Sequence, residues 1–543
     1  MFLVYFHLAF GLASLPEAQK LAEPVYPRID TLIIKSMPKE QLTAVTASAD
    51  SEIIRRLYLD LLGTIPSAQE ARTFLNEKST NKRNQLIDQL LARPEHARHM
   101  SHVVDVMLMD RRPDQRVPTA EWQAYLYTAF AENRPWDQLI REILSADGSD
   151  PKTRPAAKFL LDRDGEVNQI TRDVSRLFFG RNLQCAQCHD HPLVNDYKQE
   201  HYYGLAAFFN RTSLFPNGED KKAVLAEKAE GEVSFQDVFD KAKKVKTTKP
   251  RLISLTAINE PAFDKGKEYK VPPKKGEKPQ PVFSRRAQLA PILTSKDNHA
   301  FARATVNRFW AMLMGRGLIH PLDLDNSENP PSHPAILDLL TKEFIAHHYN
   351  LRWLLREITM SQAYQRSSEV PVQLKEIDPT KWVVAPLKPL SPEQMAFAMM
   401  QATGLTDAER TALGTKCTEA TLYAKLSPQV SPFVSTFGTR PGEPEGHSFL
   451  ATLEQSLFLK NGSVLRDWLS IRNANLMDRL TRMKDEAQIT DDLFLSILTR
   501  LPSQEERTEV IKMLQAAPAA QRHTTLSELT WSLLTSVEFR FNH

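Results

Sequence analysis

The chain has 543 residues, more than one hydrophobic core usually serves, so two or three domains are expected. Hydrophobic residues make up 42% and charged residues 25%, the composition of an ordinary soluble globular protein. With 69 basic and 66 acidic side chains the net charge is +3, which asks for neither nucleic acid nor an anionic membrane as partner.

The apolar run Phe2–Ala13 is too short to span a bilayer but long enough for the core of a signal peptide. Gly11 and Ala13 are small residues of the kind a signal peptidase reads, although no basic residue precedes the run. Residues 1–24 are therefore expected to be a signal peptide and N-terminal extension, and the protein to be exported to the periplasm or outside the cell. No other stretch is apolar and long enough for a transmembrane span.

Residues 25–216 have a helical pattern. Ile53, Ile54, Leu57, Leu61 and Leu62 recur at three- and four-residue steps and predict one apolar helix face. Gly63-Thr64-Ile65-Pro66 stops that helix, and Ser67-Ala68-Gln69-Glu70 starts the next with a capping-box pattern. Further helices are predicted over Asn81–Leu91, Glu95–Met109, Ala120–Glu132, Trp136–Ser145 and Asn168–Leu183. In the last of these, Ile170, Val174, Leu177 and Phe178 form the buried face.

Residues 217–282 are rich in Lys and Pro and read as a solvated connector, with short strands expected at Glu232–Phe235 and Arg251–Leu255. Residues 283–543 are again helical, with helices over Ala300–Met314, His333–His348, Leu351–Tyr364, Ser391–Thr403, His447–Leu459, Asp491–Leu498 and Leu526–Phe539. The fold class is thus mainly α: two helical domains joined by the connector. Leu59 to Glu70 is echoed by Leu495 to Glu506, each a helix stopped before proline and restarted by a Ser/Glu capping box. Two copies are too few for a solenoid.

Chemistry concentrates in Gln184-Cys185-Ala186-Gln187-Cys188-His189-Asp190-His191-Pro192, which holds two of the three cysteines. C-x-x-C-H is the attachment pattern for c-type haem: two thiols reach the porphyrin vinyl groups and the adjoining imidazole becomes the proximal iron ligand. On this reading Cys185 and Cys188 are the anchors, His189 is the proximal ligand, and Asp190 or His191 orients its imidazole. His191 lies too close to His189 in sequence to reach the opposite porphyrin face. His201, His447, Met312 and Met314 are the distal candidates, His201 first among them. A zinc site using His189 or His191 with His201 is a second reading, and a structural or redox disulfide a third. The aromatic-rich Tyr202–Phe209 suits either a cofactor wall or plain core. Asp323–Asn329 lacks the glycine and spacing of a calcium loop and reads as a polar turn. No hydrolase nucleophile motif, zinc-protease motif or phosphate-binding loop is present.

Longer strings carry a resemblance. Leu57-Tyr58-Leu59-Asp60-Leu61-Leu62-Gly63-Thr64-Ile65-Pro66 and Phe179 through Pro192 resemble the first domain of a planctomycete secreted family that pairs two domains of unknown function. Asn307-Arg308-Phe309-Trp310 through Gly317, Ser361-Gln362-Ala363-Tyr364-Gln365-Arg366-Ser367-Ser368, and the tail Ser536-Val537-Glu538-Phe539-Arg540-Phe541-Asn542-His543 resemble its second domain. The resemblance implies an exported protein with no assigned activity, of a family often fused to a cytochrome-c-like module and associated with polysaccharide degradation. No separate cytochrome module is visible here, so any haem falls to Cys185 and Cys188. The expectation is an extracytoplasmic c-type haem protein for electron transfer or redox chemistry, served by a redox partner protein. The alternative is a secreted binding or scaffold protein whose cysteine pair is a disulfide or zinc site. The sequence does not specify an oligomeric state.

Overall fold

A computed structural model describes residues 23–42, 45–217, 222–253, 255–372, 374, 376–442 and 452–543. The expected signal segment falls almost wholly outside these, as does His447.

The described chain is mainly α-helical, with a few antiparallel two-stranded pieces. Among the described residues no helix is long and apolar enough to cross a membrane. Helix limits follow the apolar periodicity closely: Lys82–Ala92, Pro94–Met109, Thr119–Ala131 and Trp136–Ser145. The helix leading to the cysteine motif is shorter than its pattern predicts, Val167–Phe179, because Gly180 takes a left-handed conformation (φ 63°) and stops it. Likewise Leu351–Met360 ends before Tyr364, and the tail helix divides into Arg522–Leu534 and Val537–Arg540, broken where Ser536 caps the second piece.

The connector is more structured than a solvated linker. Thr212–Asn217 pairs with Lys222–Glu227, Val233–Phe235 with Lys246–Thr248, and Tyr269–Val271 with Gln280–Pro281. The strand expected near Glu232–Phe235 is present. The described residues of Arg251–Leu255 form none; there Arg251 N–H donates to the Gly204 carbonyl, and Leu252 and Ile253 are buried. Glu260 ties the segment down by accepting from Arg211 (2.6 Å) and Arg285 (2.6 Å). The lysines at 241, 243 and 244 are exposed.

Buried apolar side chains form two clusters, and their division does not lie at the connector. One cluster runs from Val25 to Val383. The other gathers Met395 through Phe539, together with Leu59 and Ile65. The helix His299–Met314 belongs to the first because it packs on the N-terminal helices. Trp136 stands edge-on to Phe309 (5.7 Å between rings) and donates its indole N–H to Thr305 (3.0 Å), while Arg308 donates to the carbonyls of Arg176 and Leu177.

The helix Asp50–Leu62 lies between the clusters and is buried on every side from Ile53 to Leu62. Its pattern predicts one apolar face; the other faces are buried too, and their polar side chains bond to distant parts of the chain, with Arg55 Nε alone among the Arg55, Arg56 and Asp60 polar atoms left without a partner. Arg55 donates to the carbonyls of Ile497 and Phe539, and Arg56 to those of Tyr364, Arg366 and His543. The Asp60 carboxylate accepts from Tyr364 Oη (2.8 Å), Lys388 Nζ (2.6 Å) and Asn542 Nδ2 (2.8 Å). Lys388 also donates to the carbonyls of Met312 and Leu313 at the end of the helix His299–Met314. The strings around Asp60, Met312, Tyr364 and Asn542 thus meet at one buried node. Both capping boxes of the internal echo form, at Ser67/Glu70 and Ser503/Glu506, and Arg72 of one copy pairs with Asp492 beside the other.

Candidate functional site: the Cys185–His191 turn

The turn begins where Gly180 ends the helix Val167–Phe179. A loop from the second half of the chain holds it from below: Asn182 N–H donates to the Asp323 carbonyl, Asp325 N–H to Gly180, and Tyr197 Oη to Asp325. The polar run Asp323–Asn329 is therefore a brace, with Asp325 also paired to Arg303 (3.1 Å) and Ser327 donating to Asp196.

Cys185–Gln187 makes one 3-10 turn. Cys188 and His189 N–H both donate to the Cys185 carbonyl. Tyr203 Oη donates to the Gln187 carbonyl (2.8 Å), and Arg172 to its side chain. Neither thiol takes part in these bonds. Both Cys185 and Cys188 are exposed and unbridged, on one turn, as thioether attachment requires. Cys417, in the second half, is also unbridged.

The His189 ring directs Nδ1 to the Asp190 carbonyl oxygen at 2.7 Å. With Nδ1 as donor, Nε2 is left with its lone pair, the tautomer that a metal-ligating imidazole needs. Asp190 supplies this bond through its backbone. Its carboxylate instead accepts from Gln199 N–H (2.8 Å), at the start of the helix Gln199–Ala206, and faces Lys198 at 3.6 Å. His191 does not touch His189. Its Nδ1 accepts from the N–H groups of Leu193 and Val194, and its ring stands edge-on to Tyr197. It shapes the following turn.

His201, half-buried, directs Nδ1 to the Asp196 carbonyl (2.9 Å), and burial lowers its pKa, so it is held neutral. Met314 is sealed in the core at 1% exposure, and Met312 packs partly buried against it. Among the described residues no three or more His, Cys, Asp or Glu side chains converge as a metal-binding group. The aromatic stretch divides by role. Tyr202, Phe208 and Phe209 are fully buried core, whereas Tyr203 lies flat on Phe235 (4.5 Å, 6°).

Apolar residues that periodicity did not single out come back to the turn. Val238 N–H donates to the Cys188 carbonyl, and the Phe239 ring lies 4.9 Å from the His189 ring. Val238, Phe239 and Leu193 are 62%, 75% and 81% exposed, large apolar side chains left in water beside or just after the turn. Val238 and Phe239 belong to the connector, whose composition gave no sign that it folds back onto the motif. An exposed thiol pair, an imidazole engaged only through Nδ1 and exposed apolar side chains nearby fit a covalently attached haem. His189 Nε2, Cys185 and Cys188 would hold it.

Residues 28–214 match the family described as PSCyt2, a protein of unknown function (DUF1549), and residues 285–514 match PSD1, a protein of unknown function (DUF1553). No curated protein and no solved structure matches the chain.

Proposed function

For a chain that pairs these two domains of unknown function, we propose the role of an extracytoplasmic c-type haem protein, with Cys185 and Cys188 as thioether anchors and His189 as proximal ligand. When bound, the haem supplies one-electron redox chemistry to be exchanged with a partner protein. The observation that carries the reading is the state of the turn: two exposed thiols that no fold-holding bond uses, beside an imidazole whose Nδ1 is engaged by the Asp190 carbonyl. Asp190 orients the His189 ring through that carbonyl and leaves Nε2 outside that bond. Val238 and Phe239, exposed beside the turn, would offer apolar surface to the bound group.

Co-expression with cytochrome c maturation machinery and a pyridine haemochrome spectrum tests this. A c-type spectrum and a haem-sized mass increase on the peptide holding Cys185 and Cys188 are expected. A colourless folded protein lacking that increase overturns the reading. A Cys185–Cys188 disulfide or stoichiometric zinc in that protein would identify a structural site instead.

A further inference from the structure

Away from the cysteine turn, a cavity of about 510 Å³ lies between the two core clusters. The helices Asp50–Leu62 and Pro94–Met109 wall it on one side, and Pro392–Ala402 and Glu419–Leu426 on the other. The volume is in the range of small-molecule sites, which favour such boundaries.

Its charges are already balanced. Arg93 bridges Glu70 and Glu95, each at 2.9 Å; Arg98 makes a two-pronged contact with Glu419 (2.9 and 3.2 Å); Arg410 faces Asp407 (2.8 Å). Burial would raise the Glu393 carboxyl, but Arg111, from behind the wall, binds both its oxygens and holds it ionised. Arg98 is fixed between the rings of Tyr127 and Tyr423, at 4.1 and 4.0 Å. His99 and His102 add no charge, since burial keeps both imidazoles neutral.

What the wall offers a guest is therefore neutral polarity beside apolar surface. Tyr423 Oη and His102 Nε2 share a 3.1 Å hydrogen bond, and His102, Phe397 and Tyr423 form a mutual ring cluster with centroids 5.6 to 6.3 Å apart. Leu62, Ile65, Leu422 and Leu426 complete an apolar side. Gly63 lets His99 approach: a Cβ there would lie 2.4 Å from His99 Nδ1, and its φ of 73° is one that glycine adopts without strain.

We propose that this cavity is a binding site for an uncharged small molecule with an aromatic or similarly flat apolar body and at least one hydroxyl or carbonyl group. The body lies against Phe397 and the leucines, and the polar group meets the His102–Tyr423 pair. An ion is disfavoured because every wall charge has its partner, so a charged guest loses hydration and gains no counter-charge.

The test uses 2-naphthylmethanol against its charged analogues 2-naphthoate and 2-naphthylmethylammonium, by titration calorimetry and saturation-transfer NMR on the full chain. The neutral probe is expected to bind about tenfold or more tightly than either analogue. Leu422→Trp, which fills the cavity, should abolish that binding. His102→Leu, which keeps the volume, should weaken it about tenfold, as expected for a lost hydrogen bond. Circular dichroism establishes that each variant is folded. No saturable binding of the neutral probe, a smaller preference over the charged analogues, or undiminished binding to folded Leu422→Trp or His102→Leu would each overturn the proposal.

Discussion

The node around Asp60 and the turn around Cys185 are built from the most distinctive strings of the same chain, yet they use their polar groups in opposite ways. At Asp60 each string supplies a bond to another: Tyr364, Lys388 and Asn542 converge on one carboxylate that is 4% exposed. At Cys185 backbone and Tyr203 bonds hold the turn, and the reactive atoms are left over. A distinctive string can therefore mark either a fold-closing contact or a chemical site. The two are told apart by whether its polar groups are consumed internally.

Breaking the node should have the largest effect. Asp60→Ala leaves Lys388 buried without its counter-charge, and a loss of about 3–5 kcal/mol is expected from chemical denaturation. Lys388→Met together with Asp60→Leu should recover much of that loss, because the cost lies in the unpaired charge.

Acid should act through three buried histidines. His96, His99 and His102 share the helix Pro94–Met109, and burial holds their imidazoles down to about 4, 3 and 4. Unfolded, each binds a proton near 6.5, so the unfolded state holds more protons between there and about 4. The stability contributed by each neutral imidazole is complete above 6.5 and is lost as pH falls toward 4. Denaturation at about pH 7.5 and about pH 5 should show a loss smaller by about 1–2 kcal/mol in His102→Gln than in the parent.

A smaller effect is expected at the echoed caps. Ser67→Ala and Ser503→Ala should each cost about 1 kcal/mol, since each removes the acceptor for one helix N-terminal N–H. The smallest belongs to the turn: Cys185→Ser should alter stability by no more than about 0.5 kcal/mol, because no bond that holds the turn uses the thiol. The same variant should abolish normal two-thioether attachment if haem is carried there. A stability loss comparable to that of Asp60→Ala would instead make the turn part of the fold's closure.

Local features were legible in the sequence because their causes are local. Apolar periodicity marked the helices and the buried face of Ile170, Val174, Leu177 and Phe178; Ser67 and Ser503 announced their caps; C-x-x-C-H placed two thiols and an imidazole on one turn. Which partners arrive from far along the chain was decided by tertiary structure. The pattern around Leu57 could not show that Arg55, Arg56 and Asp60 would also be buried, since their bonding partners lie roughly 300 to 490 residues away. The division of the core after Val383, the return of Val238 and Phe239 to the cysteine turn, and the cavity between the clusters share that origin. Each depends on surfaces that exist only after separate helices have packed, and no spacing within a single segment encodes them.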